Sequence, residues 1–460
     1  MNSHPLSRRQ LLKAVSSGFG YLAFAGLSTM EAQAGAKTST LAPKPPQFPA
    51  RAKRVIFLCM HGAPSHVDTF DYKPRLKVDD GQPSKQGRVN GAKLLNSPWK
   101  FSQNGQSGLW ISELFPEVAK HSDELCLVRS MHTDLPAHPQ AFLMMHTGSS
   151  QFVRPSLGAW TLYGLGTENA NLPGFIALKP LSRNGGPQNY GSAFLPAVFQ
   201  GTRIGAEFQP VANSQVGNIR NTRLSKDAQR LQLDLVQSLN RDLLEREHVH
   251  PGVEGVIESY ELAFRMQGSL PEVMDLSRES DATKALYGID EQETGDFGRQ
   301  CLLARRFVEA GVRFVEVSYG DWDQHRNLKA DHSRHALAID KPISGLLTDL
   351  RKRGLLEDTL VLWGGEFGRT PHAQNGDGRD HNNKGYTVWM AGGGAKPGHS
   401  FGQTDEHGYE AVVDPVHVHD WHATILHMLG LDHEKLTYRY AGREMRLTDV
   451  KGKVVKGVLA

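Results

Sequence analysis

Short, wholly apolar runs recur along this chain with helical patterns between them, and that alternation limits the folds open to it. RVIFLCM (Arg54 to Met60), ELCLVRSM (Glu124 to Met131), VRFVEVSY (Val312 to Tyr319), TLVLWGG (Thr359 to Gly365) and YTVWMAGGG (Tyr386 to Gly394) read as strands buried on both faces. ISELFPEVAKHS, FGRQCLLARRFVEAG, His332 to Arg353 and DWHATILHMLG carry apolar residues at helix spacing, the last with Asp420 as its expected N-cap and Gly430 as its stop. Strands alternating with helices predict an α/β fold, a large and mainly parallel sheet sandwiched by helices. A helical insertion is expected at about 224–310, where LQLDLVQSLNRDLLEREH and VEGVIESYELAFRMQ interrupt the alternation. In such sheets ligands sit at the carboxyl ends of strands.

The N-terminus reads as an address rather than as part of the fold. A basic start, a moderately apolar stretch from Ala14 to Leu27 and Ala32-Gln33-Ala34 form a cleavable export signal over residues 1–34. The Arg8-Arg9 pair marks it as the twin-arginine kind, which moves proteins already folded to the periplasm or beyond. The apolar run is too short for a membrane span, so no integral span is expected after its removal. Residues 35–50, rich in Pro and Ala, read as a mobile linker, and 51–460 as the folded domain. Net charge is +3, with 52 basic and 49 acidic residues and no long basic run, which argues against a nucleic-acid partner. Of three widely spaced cysteines, Cys59 and Cys126 lie in apolar runs and read as buried free thiols, and no pair has zinc-ligand spacing.

The 21 histidines are the compositional oddity, and they gather with carboxylates just after the strands. His61, Ser65, His66, Asp68 and Asp71 follow the first run; His132, Asp134, His138 and His146 follow the second. Asp321, Asp323 and His325 follow the third; Glu366, Arg369, His372, Asp380, His381 and Lys384 follow the fourth. His417, His419, Asp420 and His422 stand near the end. Imidazoles and carboxylates without thiolates suit a divalent cation, zinc or manganese, or calcium where carboxylates dominate. Asp68 and Asp71 could equally bond their own backbone, and His427 reads as a packed core histidine.

SRRQLLK, HGAPSHVDTFDYKP, WDQH, WGGEFGRTP and DWHATILHMLGLD together resemble the exported bacterial family numbered 1501 among the domains of unknown function. That family is in turn similar to the alkaline phosphatase and sulfatase superfamily, an α/β sandwich with a mononuclear or binuclear metal centre. The resemblance implies that His138, upstream of Thr147-Gly148, stands where sulfatases place their nucleophile, although the Cys and Arg of their motif are missing. Asp321 and His325 match the superfamily's Asp-x-x-x-His metal pair, with Asp323 an equal candidate. Glu366-Phe367 replaces its Asp-His pair, and His381 matches its later histidine.

On this basis His66, Asp68, Asp321, Asp323, His325, Glu366 and His381 are the candidate ligands for one or two cations. His138 or a metal-activated water is expected to attack, with Arg369 or Lys384 steadying oxyanion charge. The expected function is a metal-dependent hydrolase of small-molecule or glycan sulfate or phosphate esters. A non-catalytic exported binding or surface protein that keeps the fold, with or without a structural metal, is the alternative.

Overall fold

The computed structural model describes residues 39–86, 91–214, 223–247 and 251–460. The expected signal over 1–34 lies outside the described residues.

A nine-stranded sheet carries the molecule. In chain order its strands are β1 (Arg54–His61), β2 (Leu125–His132), β3 (Phe175–Leu178), β4 (Thr202–Ile204), β5 (Phe314–Gly320) and β6 (Thr359–Gly364), then, past a separate two-stranded hairpin of β7 (Gly368–Gln374) and β8 (Gly378–Asn382), β9 (Tyr386–Ala391), β10 (His399–Phe401) and β11 (Val416–His417). The spatial order is β10-β2-β9-β6-β1-β5-β3-β4, with β11 beside β2. Every pairing in it is parallel except those of β9, which runs antiparallel to both β2 and β6. The expected α/β class holds. The central strands β1, β6 and β9 are buried almost throughout, as their unbroken apolar runs require.

The helices that matter below are α1 (His138–Thr147), α2 (Leu157–Leu165), α3 (Lys226–Glu247), α4 (Pro251–Met274), α5 (Gly295–Glu309), α6 (Leu328–Lys352) and α7 (Val418–Met428). Helices α3 and α4 pair with each other, and α5 packs on α4, on β5 and β1 and against α6, its apolar stripe (Phe297, Cys301, Ala304, Val308) buried.

Three local expectations are revised. ISELFPEVAKHS is not one helix: Leu109–Ser112 is a strand and Val118–Glu124 a 3-10 turn, with Pro116 standing where a helix would need an N–H. The N-cap of α7 is His417, and Asp420 completes a capping box from the third helical position. The described part of the expected linker, 39–50, is pinned rather than mobile. Leu41 is buried, Lys44 N donates to Leu165 O at 2.9 Å, and Gln47 N donates to Gly430 O at 2.8 Å. Cys59 and Cys126 are buried and free, as expected, and so is Cys301.

Candidate metal centre

Strands β1, β5 and β6 end side by side, His61 opposite Gly320 and Cys59 opposite Gly364, and the loops that follow them meet. After β5 the chain reads Asp-Trp-Asp-Gln-His. Asp321 points outward to Arg183, 3.2 Å away. Trp322 is fully buried, its ring 5.0 Å from that of His332, and its backbone N–H donates to His61 O at 3.1 Å. Buried Trp322 therefore turns Asp323 and His325 back over the strand ends. The loop after β1 comes equally close: a Cβ on Gly62, whose φ is 94°, would lie 2.6 Å from Trp322 N, so only glycine permits this approach.

One carboxylate oxygen is the focus. Asp323 Oδ1 has His325 Nε2 at 2.9 Å, His138 Nε2 at 3.2 Å, His381 Nε2 at 3.2 Å and Arg369 Nη2 at 2.6 Å. His325 and His381 also face each other, Nε2 to Nε2, at 3.0 Å. His138 arrives on the first turn of α1, from the loop after β2. His381 arrives on β8, folded back by the β7–β8 hairpin.

The outer nitrogen of each ring decides what the inner one can be. His381 Nδ1 lies 2.8 Å from Pro136 O, and a carbonyl only accepts, so Nδ1 carries the proton. His325 Nδ1 donates to the side-chain oxygen of Gln374. His138 Nδ1 donates to Glu366 Oε1 at 2.5 Å. Each ring thus turns its Nε2 toward one carboxylate, and a neutral ring offers a lone pair there. Lone pairs 3.0 Å apart repel unless something positive lies among them. Two buried atoms in the group, His138 Nε2 and Glu366 Oε2, also have no hydrogen-bond partner.

Outer acceptors that orient ligating histidines are the usual companions of a metal. The donor set, imidazole and carboxylate without sulfur, fits a divalent cation of the zinc or manganese kind. When no cation is present, protons have to serve. Burial pulls the His138 imidazolium down, but the carboxylates of Asp323 and Glu366 more than reverse this and push its pKa up to about 9. For Asp323, burial is outweighed by the three histidines and Arg369, which hold its carboxyl far below the usual range.

Of the sequence candidates, the structure brings together His138, Asp323, His325, Glu366, His381 and Arg369. His138 stands with the ligand donors, its Nδ1 held by Glu366 and its Nε2 turned to Asp323. Arg369 is fully buried, its Nε donating to Ala63 O at 3.0 Å and its Nη2 to Gly62 O and Asp323. It therefore reaches the centre through Asp323 and has no free edge for an oxyanion.

The other four candidates lie elsewhere. Asp68 is fully buried against Arg379, Oδ2 to Nε at 2.6 Å, and accepts from Ser65 Oγ at 2.5 Å, so its carboxylate is already satisfied. His66 Nε2 is 2.7 Å from Gly408 O. Asp321 is exposed, and Lys384 extends over the ring of Tyr409, its Nζ 5.6 Å from the centroid.

Gln374 is the participant that sequence reasoning missed. It is an ordinary amide at the end of β7, and only the hairpin pairing carries it to His325. Gly378 allows the same contact, since a Cβ there would lie 2.0 Å from His325 C.

This is an α/β protein whose parallel strand ends gather three imidazoles around one carboxylate, with a second carboxylate behind His138. Over residues 52–459 the chain matches the model of the family described as "Protein of unknown function (DUF1501)", and it belongs to that family. No curated protein matches it.

Among solved structures it is similar to the PsFucS1 sulfatase from Pseudoalteromonas sp., at 14% identity and a TM-score of 0.36, covering 90% of this chain and 72% of that one. It is also similar to a magnesium-bound variant of TAB5 alkaline phosphatase (11%, TM-score 0.35, 83% and 99%). A third is the phosphonate monoester hydrolase SpPMH from Silicibacter pomeroyi (12%, TM-score 0.32, 73% and 72%). These likenesses are distant.

Proposed function

We propose that this protein is an exported, metal-dependent hydrolase of sulfate or phosphate esters. The observation that carries the reading is the convergence of three imidazole Nε2 atoms on Asp323, each ring fixed by an acceptor at Nδ1. His138, Asp323, His325 and His381 would hold the cation, with Glu366 orienting His138 through its Nδ1. When bound there, a divalent cation supplies a Lewis acid for an ester oxygen.

The chain's own residues do the rest. Arg369 fixes Asp323 and offsets its charge inside the protein. Pro136 O and Gln374 hold the proton on the outer nitrogen of His381 and His325, so that neither ring can rotate away. Asp323 remains 37% exposed, which leaves the centre open to a substrate. On the Asp321 side of the same loop lies a cavity of about 530 Å³. It is lined by Lys179, Arg183, Glu207, Arg334 and His335 among others, room and polarity enough for a small ester or a sugar unit. No helix among the described residues is long and apolar enough to cross a membrane. Export itself rests on Arg8-Arg9 and Ala32-Gln33-Ala34.

The test offers aryl sulfate and aryl phosphate esters, with several divalent metals, to wild type and to the Asp323→Ala/His325→Ala double variant. Metal-dependent turnover in the wild type, lost in the variant, supports the proposal. No turnover of either ester class by metal-loaded wild type would remove the hydrolase reading and leave that of a binding protein.

A further inference from the structure

A second group of ligand atoms lies deep under the first. Cys59 on β1 stands opposite Ser318 on β5, and Phe57 opposite Glu316. Residues two apart on a strand share a face, so Cys59, Glu316 and Ser318 look out on the same side of the sheet. The last turn of α1 lowers His146 onto them. His146 Nε2 is 3.3 Å from Glu316 Oε2 and 3.9 Å from Cys59 Sγ, and all three residues are buried.

The geometry points to a buried, structural site for a divalent cation of the zinc kind, bound by Cys59 Sγ, His146 Nε2 and Glu316 Oε2. Three observations support it. The spacings approach the edges of a tetrahedral site, which are roughly 3.3–3.6 Å for zinc–ligand lengths of about 2.0–2.3 Å. Supporting contacts are in place as well: His146 Nδ1 donates to Phe142 O at 2.9 Å, which turns Nε2 inward, and Ser318 Oγ donates to Glu316 Oε1 at 3.2 Å, which leaves Oε2 for the cation. Finally, a thiolate, a carboxylate and a neutral imidazole balance a doubly charged ion, so the loaded site adds no net charge to the core. Helix α1 would then bridge two cations, His138 at its start serving the open centre and His146 at its end the buried one.

Sulfur makes the test selective, because the open centre has none. Neither Cys126 nor Cys301 joins a comparable group among the described residues. X-ray absorption at the zinc edge, on full-length protein purified with zinc, should show a sulfur shell at about 2.3 Å. The shell should disappear in Cys59→Ser and persist in Asp323→Ala/His325→Ala. Should Cys59→Ser fail to fold, a Cys126→Ser/Cys301→Ser variant that keeps the shell makes the same assignment. A wild-type spectrum with only nitrogen and oxygen neighbours overturns the site, leaving a plain His146–Glu316 ion pair. So does a sulfur shell that survives the loss of Cys59.

Discussion

Asp68 and Asp323 are alike in sequence, each a carboxylate just past a buried strand, and their partners give them opposite work. Asp68 meets the fixed cation Arg379 in full burial, whereas Asp323 meets three imidazoles at an open edge. Asp68→Asn should therefore cost about 3–5 kcal/mol of stability, because it strands a buried guanidinium, while leaving bound metal unchanged. Parallel melting curves and elemental analysis separate the two effects, and metal lost along with stability would return Asp68 to the ligand set.

The pH dependence follows from the same pair. Burial raises the Asp68 carboxyl, but Arg379 outweighs it and holds the folded-state pKa below the unfolded value near 3.9. Its contribution is thus complete above about pH 4 and lost as pH falls through the depressed folded value. In acid, the gap in stability between wild type and Asp68→Asn should close. Gln374→Ala removes only the acceptor that orients His325, and metal affinity should fall roughly 10–100-fold with the fold intact, as read by titration calorimetry.

At the scale of elements, the centre is made by three loops and a hairpin that converge because glycine permits contact. Gly378→Ala would press a Cβ against the His325 backbone and push β8, with His381, away from Asp323. Metal affinity should drop at least as far as in Gln374→Ala, while the far-ultraviolet circular dichroism of the nine-stranded sheet stays the same. An alanine variant that binds metal like wild type would show that the hairpin approach is not what positions His381.

Much of this level was legible in the sequence. Unbroken apolar runs marked β1, β2, β5, β6 and β9, and polar clusters behind them marked the loops. Hidden from it was which member of each cluster turns inward. Asp321, Asp323 and His325 stand at every second position, yet Asp321 turns to Arg183 and Asp323 to the histidines, a choice their spacing does not encode. Asp68, His66 and Lys384 had the right chemistry, but Arg379, Gly408 and Tyr409, distant in sequence, had claimed them. Gln374 left no signal at all.

For the whole molecule, a cation held only by the folded state stabilises by mass action, about 2.7 kcal/mol at a hundredfold excess over Kd. Melting temperature should climb with added divalent metal in the wild type and climb less in Asp323→Ala/His325→Ala. Replacing Arg8 and Arg9 by lysine should hold the precursor in the cytoplasm, and mature protein of unchanged size outside would refute the twin-arginine reading. The most direct test of the central claim is elemental analysis of protein purified from its native compartment, wild type beside Asp323→Ala/His325→Ala. The account predicts a bound divalent metal in the wild type and one equivalent less in the variant. Equal metal in both, or none in either, would contradict it.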